Sequence, residues 1–596
     1  MTEPRAEIDG SSMHHLIDPR SGDAEDDFSS PKKRSLFVIA GAFLTEISFP
    51  KLLFACAISL GLPAIFLGFA PLAISAWLTS VSAKVIVLTE ASTVFLLVVT
   101  LCIGWLAWRP LLRTAEESFW SLNALLVQPC YVLGTETLRH LNERLFDKNR
   151  KQVTSTKLRA ASSAIAGVVM FALGLLVVKA IWHASRWVGT AGDLLLPHHL
   201  IVPTVANAAI LISAYFAFVS LLRGFSDART EQPLTLAVYD AAPAGSRIWR
   251  VAHLTDIHVV GERYGFRIES GRAGPRGNER LQQLLKDLAN LHDAEPLDLI
   301  LITGDVTDAG RASEWAEFFD AIERFPELAR RMLIAPGNHD LNIGSRSNPA
   351  QIDLPFSSRK LLRQARALSA MNAVQGERVY LTAGDGKHRQ LLREAISPHE
   401  ESIAKLAQGG GVRASLHLKD VLHDMFPMIV PPRDPNGLGV AILNSNAESH
   451  FSFTNALGFV SVEQNQRLLS ELEHYPAAGW IVVLHHHVQE YPKQVPFSIR
   501  IGTALLNGSW FIRKLRPHAS RIVLMHGHRH LDWVGTFGAL KVVSGPSPVM
   551  NATAGNPTCF YIHKLATGRG RIWLTQPQRV SVSDPSAGTE SQNSNH

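Results

Sequence analysis

Trp249-Arg-Val-Ala-His-Leu-Thr-Asp256-Ile-His258 reads as a strand that ends on a carboxylate and an imidazole two positions apart. On an extended chain residues i and i+2 share a side, so this strand end offers both groups to one point in space. That is half of a metal site. Four later stretches have the same form. They are Leu299-Ile-Leu-Ile-Thr-Gly-Asp305, Met332-Leu-Ile-Ala-Pro-Gly-Asn338-His339-Asp340, Ile481-Val-Val-Leu-His485-His486-His487 and Ile522-Val-Leu-Met-His526-Gly-His528-Arg-His530.

Between these strands lie helical patterns near 278–292, 312–323, 462–474 and 502–516, with further strands near 439–443, 533–536, 540–544, 558–563 and 570–575. Apolar strands alternating with helices imply a sheet covered on both faces, an α/β layered core over 247–577. Ligands of such folds gather at strand C-termini, where every stretch quoted above places its polar residues. Residues 341–437 break the rhythm, with helical patterns near 358–373 and 388–407 and several Gly and Pro turns. They read as a helical insertion, either a cap beside the site or a peripheral elaboration.

The chain before Asp256 has a different character. Residues 1–35 are polar and read as a disordered tail, as do 578–596. Residues 36–49 are apolar but too short to span and contain Glu46, so an interfacial helix is expected there. Stretches near 52–77, 85–108, 160–182 and 200–222 reach the roughly 20 apolar residues a bilayer core requires. Together, 36–222 reads as an α-helical transmembrane region of four spans, joined to the layered domain by a polar linker at 223–246. Glu90 lies in the second span, near its end, where interfacial water is in reach. Nine Arg and Lys fall between Arg109 and Arg159, against Arg186 and Lys84 alone in the other two loops. The positive-inside rule then puts the N-terminus, the 109–159 loop and everything after Leu222 in the cytoplasm. The expected location is an inner membrane, crossed several times, with the lipid bilayer as a partner.

The net charge of +6 does not mark a nucleic-acid partner. Its basic residues flank the spans, and the later half shows no basic stripe interleaved with aromatics. The four cysteines, at 56, 102, 130 and 559, form no CxxC. A disulfide framework or thiolate zinc site is not expected.

Two Asp, an Asn amide oxygen and several His make an oxygen and nitrogen donor set suited to Mn, Fe, Zn, Co or Ni. There are more donors than one ion needs. A bridging carboxylate such as Asp305 would allow two ions about 3.5–4 Å apart, the clamp used for displacement at phosphorus. In order, Asp256-x-His258, Gly304-Asp305 with Asp308, Gly337-Asn338-His339-Asp340, the strand ending in His485, and Gly527-His528-x-His530 resemble the calcineurin-like metallophosphoesterases.

That resemblance covers about 248–575 and implies a β-sandwich flanked by helices with two divalent metal ions. It implies that Asp256, His258 and His530 hold one ion and Asn338, His485 and His528 the other, with Asp305 shared. His486 remains an alternative to His485, and His526 reads as a neighbour of the site. The resemblance gives His339 the catalytic role of protonating the leaving group or steadying the phosphate, and Asp308 that of orienting this histidine. Gly304-Asp-Val-Thr-Asp308-Ala-Gly310 has no Arg at 309, unlike protein phosphatases. With GNHD and GHxH it looks nearest to the class III cyclic-nucleotide phosphodiesterase branch.

A membrane-anchored phosphodiesterase is therefore expected, with a phosphoester substrate. The alternatives are a lipid or nucleotide-lipid phosphodiesterase or pyrophosphatase, and a sensor or scaffold whose domain only binds ligand.

Overall fold

The computed structural model describes residues 62–84, 127–145, 152–186, 196–261, 277–342, 358–382, 389–407, 421–447, 456–491, 505–550 and 557–583, with residues 123, 418 and 503. The chain divides into two compact units, one including everything from Pro233 onward and one covering Ile47–Gln232.

In the unit from Pro233 onward the strands are β1 (Leu234–Thr235), β2 (Arg247–Leu254), β3 (Leu299–Ile302), β4 (Met332–Ile334) and β5 (Tyr380–Thr382). There follow β6 (Arg389–Leu391), β7 (Met428–Val430), β8 (Leu438–Ile442), β9 (Gly479–Val483) and β10 (Ile522–His526). The last are β11 (Trp533–Phe537), β12 (Leu540–Ser544), β13 (Cys559–Gly568), β14 (Arg571–Leu574) and β15 (Gln578–Ser581). They form two sheets, one ordered β1-β11-β12-β10-β9-β8-β7-β5-β6 and the other β14-β13-β2-β3-β4, with β15 also on β13. The site-bearing strands pair in parallel with their neighbours, β2 with β3, β3 with β4, and β9 with β10. Their C-terminal ends therefore leave each sheet on one side.

Every residue of β9 and β10 is buried, which explains their unbroken apolar runs. Helix Gly277–Ala294 buries Leu281, Leu284, Leu285 and Leu288, the i, i+3, i+4, i+7 stripe of an amphipathic helix. Burying each such leucine contributes about 1.5–3 kcal/mol. Trp480 on β9 and Phe511 on helix Gly508–Leu515 belong to a second apolar cluster.

The 341–437 segment is not wholly helical. It supplies β5, β6 and β7, which extend the larger sheet beyond β8, and helix Ser358–Gln375, whose Leu361, Leu368 and Met371 join the main core. The expected helix at 388–407 opens as β6 before helices Leu392–Ile396 and Glu400–Ala407. Strands of three residues are too short for alternation to reveal them. The polar stretches also hold more structure than expected. The end of helix Pro197–Arg229 and β1 occupy part of the 223–246 linker, and β15 begins the 578–596 tail.

In the other unit, helices Leu62–Lys84, Gln128–Leu145, Gln152–Ser185 and Pro197–Arg229 are described. Among the described residues, two segments, Lys157–Ser185 and His198–Arg229, are long and apolar enough to cross a membrane. They contain the third and fourth expected spans, and Leu62–Lys84 covers the later part of the first. The tail at 1–35, the interfacial segment 36–49, the span 85–108 and Glu90 lie outside the described residues. The two long helices pack through small residues. A Cβ on Gly167 would come within 2.9 Å of Gly224 Cα, so only glycine permits this approach, as in membrane helix pairs.

Gln375 ties the 341–437 segment to the edge strand β4. Its side chain accepts from Ile334 N at 2.6 Å and donates to Ile334 O at 3.2 Å. Gln375→Leu leaves both backbone groups buried without a partner, at about 1–3 kcal/mol. A lowered thermal midpoint and faster amide exchange over 332–336 are expected; an unchanged exchange pattern contradicts this.

Candidate metal centre

The strand ends are locked to one another before any side chain enters. Asp256 N donates to Gly304 O and His258 N to Asp305 O, both at 3.0 Å. Beyond the strands the backbone turns left-handed at Asp256, His258, Asp305, His528 and His530, with φ between 49° and 73°. Among the described residues, Arg569 alone shares that conformation without being glycine. Each such residue costs about 1–2 kcal/mol, and strain of this kind concentrates where geometry is functional. The alternation of an extended strand therefore does not bring Asp256 and His258 together. Two left-handed residues do.

These turns assemble three groups of facing donor atoms: Asp256, His258 and His530; Asp305, His485 and His528; and His258, Asp305 and His339. Asp305 stands at the centre. Its Oδ2 lies 3.2 Å from His485 Nε2, 3.8 Å from His258 Nε2 and 3.9 Å from His339 Nε2, and its Oδ1 accepts from His339 N at 2.8 Å. Asn338 joins through Oδ1, 3.0 Å from His485 Nε2. Asp256 accepts from His528 N at 3.0 Å and from Thr255 Oγ1 at 2.8 Å, and its Oδ1 lies 3.3 Å from His530 Nε2. A Cβ at Gly337 would be driven into the amide and carboxylate of Asp305, so that position has room only for glycine.

The donor set fits divalent cations. His485 Nδ1 can only donate to Thr303 O, 2.9 Å away, so its Nε2 meets the oxygens of Asn338 and Asp305 either carrying a proton or with a cation between them. Positive charge belongs between them. His258 is turned the same way, with Nδ1 3.4 Å from Asp308 Oδ1 and Nε2 3.3 Å from His530 Nε2. A carboxylate behind an imidazole is the usual outer support of a ligating histidine. The electrostatics agree. Burial opposes charge on Asp305, yet the imidazoles of His485, His339 and His258 hold its carboxyl well below the usual range. Burial likewise opposes charge on His485, but Asp305 pushes the ring up to about 9. The pocket stabilises cations.

All nine residues singled out from the sequence meet here. His486 instead turns to Ser445 Oγ at 2.9 Å, and His526 packs on Tyr491; neither enters a donor group. The role expected of Asp308 is divided differently. Its backbone carbonyl, not its carboxylate, takes His339 Nδ1 at 2.7 Å, while the carboxylate is 4.0 Å from that nitrogen and nearer to His258. The helix Asn338–Leu341 turns the His339 ring toward the carbonyl. Asp340 received no role in the sequence reading, although it closes the Gly-Asn-His-Asp stretch. Its carboxylate accepts from Thr307 N at 2.9 Å, Thr307 Oγ1 at 2.7 Å, Gly337 N at 2.9 Å and Val306 N at 3.3 Å. It ties the Asp305 loop to the Asn338 loop. Glu314 does the same for the next turn, accepting from Ala309 N at 2.8 Å and Arg311 N at 3.1 Å.

Residues 250–531 match the model of a family described as Calcineurin-like phosphoesterase. Comparison with curated proteins found no match. Among solved structures, a Staphylococcus aureus protein assigned as a 5′-nucleotidase is 13% identical, with 57% of this chain and 55% of that one aligned at a TM-score of 0.29. A purple acid phosphatase from yellow lupin is 14% identical over 58% and 54%, at 0.26. The calcineurin-like phosphoesterase YfkN from Bacillus subtilis is 12% identical over 59% and 97%, also at 0.26. The chain thus spans little more than half the length of the first two.

Asp340→Ala strands four buried donors and should cost about 3 kcal/mol or more, with weaker Mn²⁺ binding by calorimetry. Unchanged binding contradicts the tie between the loops. Burial, opposed by Arg311, pushes Glu314 up to about 7 from an ordinary 4.5. The folded chain then keeps a proton that the unfolded chain releases, so this group's contribution to stability falls as pH rises from 4.5 to 7. Glu314→Gln should flatten thermal stability across that window; an unaltered pH profile is the contrary result.

Proposed function

We propose that the chain is a membrane-anchored, metal-dependent phosphodiesterase, a reading that starts from the match of residues 250–531 to the Calcineurin-like phosphoesterase model. The observation that carries this reading is Asp305, a buried carboxylate shared between two groups of facing imidazole and oxygen donors. In the proposed assignment Asp256, His258 and His530 would hold one divalent ion and Asn338, His485 and His528 a second, with Asp305 available to either. Two such ions would supply Lewis-acid charge for the phosphoryl oxygens and would lower the pKa of nearby water.

The chain's own residues supply the rest. Asp256, Asp305 and His485 are buried completely or nearly so, whereas the His530 side chain is 23% exposed and that of His339 11%. Substrate therefore enters on the His339 and His530 side. The carbonyl of Asp308 fixes His339 through Nδ1 and leaves Nε2 facing the site. From there a protonated ring hands its proton to the leaving oxygen as the phosphorus–oxygen bond breaks. Asp340, Glu314 and the main chain at Thr303 hold these groups in place, so little reorganisation remains for the reaction itself.

The diester preference rests on Gly304-Asp-Val-Thr-Asp308-Ala-Gly310, which has alanine where a phosphate-binding arginine would favour monoesters. The bilayer anchor of four spans with the catalytic unit cytoplasmic is supported by two of them, Lys157–Ser185 and His198–Arg229, and by the basic residues around them. Those helices also favour a second reading, in which the diester belongs to a lipid.

Full-length protein loaded with Mn²⁺ should cleave bis(4-nitrophenyl) phosphate, and Asp305→Ala or Asn338→Ala should abolish this. His339→Ala should lower kcat by about 10²–10⁴-fold on a diester with an alkyl leaving group, and much less on the nitrophenyl substrate, whose leaving group needs no proton. Activity that survives both ligand substitutions sinks the assignment. Faster turnover of lipid diesters in vesicles than of soluble cyclic nucleotides would select the second reading.

A further inference from the structure

One parallel strand of the larger sheet ends on polar residues that the metal assignment leaves unused. β8 runs parallel to β9 with Ile442 level with Val483, and the chain continues as Leu443-Asn444-Ser445-Asn446-Ala447. That turn therefore comes up beside His485 and His486.

Ser445 is fully buried, and its hydroxyl has a defined task there. Oγ accepts from His485 N and from His486 N, each at 3.1 Å, and lies 2.9 Å from His486 Nδ1. A hydroxyl has two acceptor positions and one proton. The two amides occupy the acceptor positions, so the proton goes to His486 Nδ1 and the group has no freedom left. It fixes the main chain at His485, while Thr303 O fixes the ring.

The residues that follow reach a different ligand loop. Asn446 Nδ2 donates to Pro336 O at 3.0 Å, two positions before Asn338. Ala447 O accepts from Asn342 Nδ2 at 3.1 Å, just past helix Asn338–Leu341. The turn is itself anchored to helix Val462–His474. Gln464 accepts from Asn444 N at 2.9 Å and donates to Asn444 O at 3.1 Å, and Asn444 Oδ1 accepts from Asn446 N at 3.0 Å. Among the described residues, none of the hydrogen bonds of 444–447 goes to Asp256, His258 or His530.

We propose that Ser445 and Asn446 are positioning residues for one ion and not for the other. They hold the loops of Asn338 and His485, the ligands assigned to the second ion, and leave the first untouched. This division rests on the two-ion assignment above and not on the diester preference.

Mn²⁺ binding to metal-free full-length protein, followed by the electron paramagnetic resonance signal of the free ion, tests it. Wild type should take up two ions. Ser445→Ala should raise one dissociation constant by about 10–100-fold, as loss of an outer support of a ligand does, and leave the other unchanged. Asn446 is only half-buried, so Asn446→Ala is the variant that spares the fold; it should raise the same constant by about fivefold, the loss of a neutral hydrogen bond.

Two further backgrounds identify the ion. Added to His530→Ala, which removes a ligand of the first ion, Ser445→Ala should weaken the ion that remains. Added to His528→Ala, it should not. A general structural loss would weaken both ions alike. That result, or variants that bind both ions as wild type does, overturns the proposal. Fewer than two ions in wild type is a separate outcome, which overturns the two-ion assignment and this division with it.

Discussion

One buried carboxylate organises the catalytic unit. Asp305 leaves the end of β3, takes His339 N on one oxygen, and presents the other to His485, His258 and His339. A charged group so enclosed is tolerable only where opposite charge surrounds it. The layers of the fold bring that charge to it. β2, β3 and β4 from one sheet and β9 and β10 from the other end where their loops can meet around this point. The strain of five left-handed residues is a local cost offset by roughly sixty buried apolar side chains of the main core.

The outer supports are mostly main chain or carboxylate, and each acts on a different loop. Thr303 O orients His485, Asp308 O orients His339, and the carboxylate of Asp340 holds two loops together. An imidazole whose Nδ1 is fixed by a carbonyl has its Nε2 fixed as well. The chemistry therefore depends on peptide groups that no side-chain motif reveals.

That difference explains what the sequence made legible. Apolar runs ending in Asp, Asn or His revealed the strands, their order and all nine residues that meet in the centre, because strand and site signals coincide there. The turn that brings Asp256 to His258 was not legible, since left-handed non-glycine residues leave no pattern. Asp308 lies beside His339, but its carbonyl and not its carboxylate takes the ring nitrogen, a distinction that needs coordinates. β5, β6 and β7 escaped notice because three residues carry too little alternation, so the segment holding them looked helical. In the helical unit, the apolar runs at 160–182 and 200–222 lie within long helices, while the hydrogen bond from Tyr131 Oη to Asp227 joins residues 96 positions apart.

The central claim is that Asp305 is shared by two cations. Anomalous diffraction from crystals of the full-length protein grown with Mn²⁺ tests it most directly. The expected result is two peaks about 3.5–4 Å apart on either side of Asp305, one beside Asp256, His258 and His530 and the other beside Asn338, His485 and His528. A single peak, or two peaks that do not share Asp305, would contradict it.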